Sequence, residues 1–174
     1  FFRDKGIKKG DVIVGYLPNI PDTVISFLSA AKIGAVWSSC SADFGTQAVI
    51  DRFSQLKPKL LIVADYYFYN GKKFQYSKNL RTLKANLNNP LILKTSYPSK
   101  KNTSELKKIY NQKKYSKPNK NISLSFNHPL YVLFSSGTTG LPKCITHGHG
   151  GSLLQHLKDC LLYTSPSPRD PRES

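Results

Sequence analysis

Between positions 135 and 143 the chain reads Ser135-Ser136-Gly137-Thr138-Thr139-Gly140-Leu141-Pro142-Lys143. Four hydroxyls, two glycines and a cation in so short a run are the groups needed to hold a polyphosphate. The glycines let the chain turn tightly and bring its backbone close to a ligand. Successive N–H groups then form an anion-binding concavity. The hydroxyls of Ser135, Ser136, Thr138 and Thr139 add donors, and Lys143 supplies a positive point charge. A Walker A loop separates its glycines by four residues and ends in Gly-Lys-Ser/Thr. Here two residues separate Gly137 from Gly140, Pro142 precedes the lysine and Cys144 follows it, so a P-loop NTPase is disfavoured. The plain alternative is a Ser/Thr/Gly-rich turn without a ligand. The apolar run directly before the motif weighs against it.

Other reactive side chains carry weaker signals. His147, His149 and His156 could ligate a metal, but no Cys or acid at useful spacing completes a set. Polar residues lining the start of a helix are the simpler reading; a place for His149 near a phosphate or acyl pocket is kept open. Cys40 has no His or acid placed to activate it as a nucleophile. Trp37 and Cys40 fall near the C-terminal end of an apolar segment, where open α/β sheets bind ligands, although a core role for Trp37 is favoured.

These residues need a frame, and the apolar pattern supplies one. Residues 11–17 read as a short buried strand ended by Pro18-Asn19. Residues 21–33 have helical spacing, with Val24, Phe27, Leu28 and Ala31 on one face, Pro21 in the first turn and Gly34 as the stop. Residues 35–39 form a second strand, 46–56 a helix with Val49, Ile50 and Phe53 inward, and 59–64 a third strand. Strand, helix, strand, helix, strand at this spacing predicts an α/β fold of parallel β/α units. The pattern then weakens: a polar helix over 78–87, a strand over 90–95, and loop over 96–121 with a short helix near 103–111. A buried strand at 129–135 leads into the Ser/Thr/Gly loop, and a helix follows near 150–159.

Composition limits the partners. The 174 residues carry a net charge of +16. Residues 72–120 hold +13 of it, from thirteen Lys and one Arg against Glu105. A basic nucleic-acid-binding module is one reading of that stretch. Arg, the side chain that reads bases and phosphates bidentately, is scarce there, so a solvated Lys/Asn-rich connection is favoured and no specific nucleic acid is expected. Apolar runs fall far short of the ~20 residues of a membrane span, so no membrane is expected. Three widely spaced cysteines indicate neither a disulfide scaffold nor a zinc site, and a cytoplasmic setting fits. The chain lacks methionine and starts at Phe1, so we read it as part of a longer chain. Its last fifteen residues, 160–174, are rich in Pro, Ser and Arg and read as a non-native tail to be left out of fold reasoning.

Taken together, the motifs carry a resemblance. The 135–143 run resembles the phosphate-binding loop of the adenylate-forming superfamily of acyl-CoA synthetases, luciferases and peptide-synthetase adenylation domains. Its flanks resemble the acetoacetyl-CoA synthetase family: Gly15-Tyr16-Leu17-Pro18-Asn19-Ile20-Pro21, the run from Gly34 to Gly45, Asp51-Arg52-Phe53, Tyr69-Asn70-Gly71-Lys72 and His147-Gly148-His149-Gly150-Gly151. The resemblance spans about Gly6 to Asp159 and is weak only over 73–127. It implies a partial AMP-binding (adenylation) domain over 1–159, with 72–127 as a basic, loop-rich variable region.

The resemblance further implies an acid–CoA ligase. Acetoacetate attacks the α-phosphorus of ATP, giving an acyl-adenylate and pyrophosphate, and coenzyme A then displaces AMP. Mg²⁺ and fixed donors neutralise the charge. Acetate or another short acid is the alternative substrate. Phosphate contacts fall to Ser136, Gly137, Thr138, Thr139 and Gly140, then Ser135, with Lys143 offering a mobile charge to pyrophosphate. The family's adenosine site, its Mg²⁺-associated acid and its catalytic lysine match positions further along, so no catalytic or metal-binding residue is assigned here. Lys143 is not that lysine, and the 174 residues alone are expected to be inactive.

Overall fold

A computed structural model describes residues 1–76, 79–97, 122–135 and 140–164, with 162–164 in backbone alone. The expected helix near 103–111, positions 136–139 of the loop and 165–174 of the tail lie outside the described residues.

The apolar run Val12–Leu17 forms β1, and α1 (Pro21–Lys32) follows it. Pro21 suits the first helical turn because its ring presets φ and its missing N–H would have had no helical partner. Gly34, at φ +71°, ends the turn after the helix, a left-handed conformation that favours glycine. Next come β2 (Val36–Ser41), α2 (Thr46–Phe53), a 3-10 turn at Ser54–Leu56, and β3 (Leu60–Ala64). The hairpin β4 (Tyr66–Tyr69) and β5 (Lys72–Gln75) precedes α3 (Leu80–Asn86) and β6 (Leu91–Thr95). After it come β7 (Pro129–Ser135), β8 (Lys143–Gly148) and α4 (His149–Thr164).

Six strands make one sheet in the order β6-β3-β1-β2-β7-β8; β4 and β5 pair separately. All neighbours in the large sheet are parallel except β7 and β8. The expected parallel β/α architecture is therefore present. The core centres on β1 and β3, whose Ile13, Val14, Leu61 and Ile62 are fully buried with Phe53 and Val49 of α2. Continuous apolar strands of this kind suit a sheet covered on both faces. A β-carbon on Gly15 would lie 2.8 Å from the buried Trp37 ring, so β1 needs glycine there to admit the indole. Leu83, Leu87 and Leu93 of the Lys-rich region are also buried; that region contributes to the core up to β6.

Two expected burial patterns differ. On α1 the buried side chains are Asp22, Ser26 and Ala30, whereas Val24 and Leu28 are 53% and 57% exposed. Small residues let the helix lie close to β1 and β2, and the bulkier apolar stripe turns outward. Strand β7 is half-exposed, with Val132 its one buried side chain; Tyr131 and Phe134 pack against the core, and its neighbour β8 is antiparallel and largely exposed. The last helix runs through Cys160 to Thr164, further than 150–159.

Candidate functional site

The Ser/Thr/Gly loop is the connection of a β-hairpin. Ser135 closes β7 and stands opposite Lys143, the first residue of β8; Phe134 stands opposite Cys144. Cross-strand partners lie about 5 Å apart at Cα, so one hydroxyl and the cation flank the mouth of the loop. Lys143 is exposed, and Ser135 is half-buried. Because β7 runs parallel to β2, and β2 to β1, the loop opens at the C-terminal edge of the sheet, where α/β folds bind ligands. Ser136, Gly137, Thr138 and Thr139 lie outside the described residues.

Gly140 takes φ +94°, and no atom of the described residues lies within 4 Å of where a β-carbon would sit. Glycine is needed there for its backbone conformation. The return arm is tied down by a residue that the sequence reading missed. Gln55 Nε2 donates to the Pro142 carbonyl at 3.0 Å, and Cys144 Sγ donates to Gln55 Oε1 at 3.5 Å. Nothing in the sequence marks Gln55, because its partners lie nearly ninety positions away.

Strand β7 is held by specific bonds more than by burial. Ser38 Oγ donates to the Val132 carbonyl at 2.7 Å in a buried contact. His128 Nε2 lies 2.8 Å from the Gly34 carbonyl; a carbonyl only accepts, so Nε2 carries the proton. The Gly150 amide donates to the Phe126 carbonyl and the His149 amide to that of His128, both at 2.9 Å. These two first-turn amides of α4 are occupied by protein.

The histidines are dispersed. The His147 ring stacks on Tyr131 at 4.8 Å. The His149 ring lies 5.6 Å from that of His128, its Nε2 buried without a hydrogen-bond partner among the described residues. Burial, and then the neighbouring His128, hold the His149 pKa below its ordinary value, which favours neutral imidazole. His156 is exposed on α4. Among the described residues no three His, Cys, Asp or Glu side chains stand together as a metal site. Trp37 is a core residue, 5% exposed. Burial pushes the Cys40 thiol up to about 12 against a lowering effect of Arg52; it stays protonated and is a poor nucleophile. No helix among the described residues is long and apolar enough to cross a membrane.

With this geometry in view, the likenesses to known proteins are consistent. The profile of the family described as AMP-binding enzyme matches residues 1–172. An acetoacetyl-coenzyme A synthetase of Rhizobium meliloti (strain 1021) is 43% identical over 90% of this chain and 25% of its own length. That of Macaca fascicularis is 41% identical over 97% of this chain and 27% of its own. A solved acetoacetyl-CoA synthetase from Streptomyces lividans superposes with a TM-score of 0.79 at 36% identity, over 91% of this chain and 25% of its own. The chain thus spans about a quarter of the length of these relatives. A parallel β/α sheet, a hydroxyl- and glycine-rich loop at its C-terminal edge and a matching profile along nearly the whole chain agree: the chain belongs to the AMP-binding enzyme family.

Proposed function

We propose that the chain is part of an acid–thiol ligase that joins acetoacetate to coenzyme A at the expense of ATP, releasing AMP and pyrophosphate. The observation that carries this reading is the loop mouth. Ser135 and Lys143 face each other across the ends of β7 and β8, and Gly140 holds a left-handed backbone conformation in the connection. A polyanion fits that mouth: Lys143 offers charge, and the loop offers hydroxyls and amides.

In this reading Ser135, Ser136, Gly137, Thr138, Thr139 and Gly140 bind and orient the β- and γ-phosphates, while Lys143 draws pyrophosphate away. Mg²⁺ would supply further neutralisation of phosphate charge, and no residue described here is assigned to hold it. Acetoacetate is favoured over acetate because the relatives at 41–43% identity bear the acetoacetyl-CoA synthetase name. The partners are then small molecules rather than nucleic acid. Three free cysteines suit a reducing cytoplasm. Residues 1–159 belong to the adenylation domain, and 72–127 are its basic variable region.

ATP–pyrophosphate exchange by the complete protein tests the reading, since it isolates the first half-reaction. Acetoacetate is expected to drive exchange at least tenfold faster than acetate. Exchange driven equally by both acids would move the assignment to another short-acid ligase, and no acid-dependent exchange would refute it.

A further inference from the structure

The return arm of the loop is gripped by one side chain that uses all of its polar groups. Gln55 lies in the 3-10 turn Ser54–Leu56 that follows α2. A primary amide has two N–H donors and a carbonyl acceptor. Here Nε2 donates to the Asp51 carbonyl at 2.7 Å and to the Pro142 carbonyl at 3.0 Å, and Oε1 accepts from Cys144 Sγ at 3.5 Å. Pro142 and Cys144 are the two chain neighbours of Lys143. The same amide therefore holds the backbone just before the lysine and the side chain just after it, while Lys143 itself stays exposed.

The bond to Asp51 decides what the grip hangs from. Asp51 belongs to α2, whose Val49 and Phe53 are fully buried, so the amide is carried by a packed element. The arm it holds is not packed in the same way: Leu141, Lys143 and Cys144 are exposed. Lysine presents a point charge on a flexible stem, so the backbone at 143 sets the region that the charge can reach. Cys144 also pairs with Phe134 of β7, and the grip thus ties both α2 and the hairpin to the same three residues. We infer that Gln55 is a positioning residue for the phosphate loop: by bracketing Lys143 it sets where that charge meets a pyrophosphoryl group. The inference rests on the reading of the loop as a phosphate site.

Isothermal titration of the complete protein with pyrophosphate and Mg²⁺, at about 0.15 M ionic strength, tests it. Gln55→Ala removes the grip; Gln55→Glu keeps the shape and an acceptor for Cys144 but loses both donors. Gln47→Ala is the control, because exposed Gln47 also bonds Asp51, at its Oδ1. Both Gln55 variants are expected to raise the dissociation constant about fivefold, the scale of one hydrogen bond, with the number of sites unchanged. The control is expected to stay within twofold. Because Gln55 acts through Lys143, adding Gln55→Ala to Lys143→Gln should weaken binding by less than twofold more. A lower number of sites at an unchanged dissociation constant would make Gln55 merely structural and overturn the inference. Equal weakening in the control, a further fivefold loss on top of Lys143→Gln, or no saturable binding by the wild type would also overturn it. Acetoacetate-dependent ATP–pyrophosphate exchange is run beside the titration. Its absence with the Gln55 pattern intact refutes the ligase reading and upholds the inference; normal exchange with an unmoved dissociation constant in both Gln55 variants does the reverse.

Discussion

On one side of the sheet, β6, β3 and β1 bury Leu93, Leu60, Leu61, Ile62, Ile13 and Val14 to within a few per cent of full burial. On the other, Leu133 of β7, Ile145 of β8 and Leu153, Leu154 and Leu157 of α4 are each 46% exposed or more. Burial of such side chains contributes ~1.5–3 kcal/mol each, so the first side holds itself together by packing. The second side carries the Ser/Thr/Gly loop. It relies on a few hydrogen bonds to its neighbour: Ser38 to Val132, His128 to Gly34 and Gln55 to Pro142. Among the described residues, packing thus holds the first side more than the second, and substitutions should separate them.

The largest stability effect is expected at Phe53, which is fully buried. Phe53→Ala should cost ~3–5 kcal/mol in urea unfolding of this chain. Leu157→Ala, on the exposed face of α4, should stay within about 0.5 kcal/mol. Similar losses at both positions would erase the contrast. Gly15→Val comes next: it forces a side chain against Trp37, and overpacking of this kind costs ~1–3 kcal/mol.

At the seam between the two sides, Ser38→Ala removes a buried donor to Val132 and should cost about 1 kcal/mol. Hydrogen exchange should quicken in β7 more than in β3; uniform quickening would mean that the seam is not a boundary.

The smallest effect is a difference in acid response. The His149 pKa is held below its ordinary 6.5, so the unfolded chain binds a proton more readily. Stability from neutral His149 is complete above about 6.5 and declines as pH falls from there toward the folded value. Burial pushes the Asp11 carboxyl up, but the Lys59 hydrogen bond, the Lys8 amide and both lysine charges outweigh it and hold the pKa below 3.8. That contribution is present above 3.8 and is lost as pH falls through the lowered value. Acid should therefore loosen the β8–α4 side first. Exchange measured from pH 7 to pH 5 should quicken there, and His149→Gln should flatten the change. Quickening first around Asp11 would reverse the order.

Much of the packed side was legible in the sequence, because continuous apolar runs such as Leu60–Ala64 and turn signals such as Gly34 are local. The β4–β5 hairpin was also signalled, by Asn70-Gly71 between aromatic residues, with both residues at positive φ as an Asn-Gly turn requires. The sequence reading assigns no element between β3 and the helix at 78–87, although the aromatic run Tyr66–Tyr69 suits a strand. Strand β8 escaped for another reason: Lys143–Gly148 has no apolar run, and its pairing with β7 is set by the hairpin. The outward stripe of α1 could not be read locally, since helical spacing gives a face without saying what lies against it. Of the site, the loop residues were legible as chemistry. Gln55 and Ser38, which position the loop and β7, were not, because their partners are distant in sequence.

In the proposed reading the loop between β7 and β8 acts on phosphate while the packed side carries stability. Thr138→Ala and Gly140→Val in the complete protein address both halves in one experiment, with acetoacetate-dependent ATP–pyrophosphate exchange read beside thermal unfolding. Loss of one donor at developing charge costs ~2.7–4 kcal/mol, so exchange in Thr138→Ala should fall by about 10²–10³ with little change in melting. Gly140→Val should also lose exchange, because a β-branched residue is strained at φ +94°. Near wild-type exchange in both variants would contradict the account and leave the motif a structural turn.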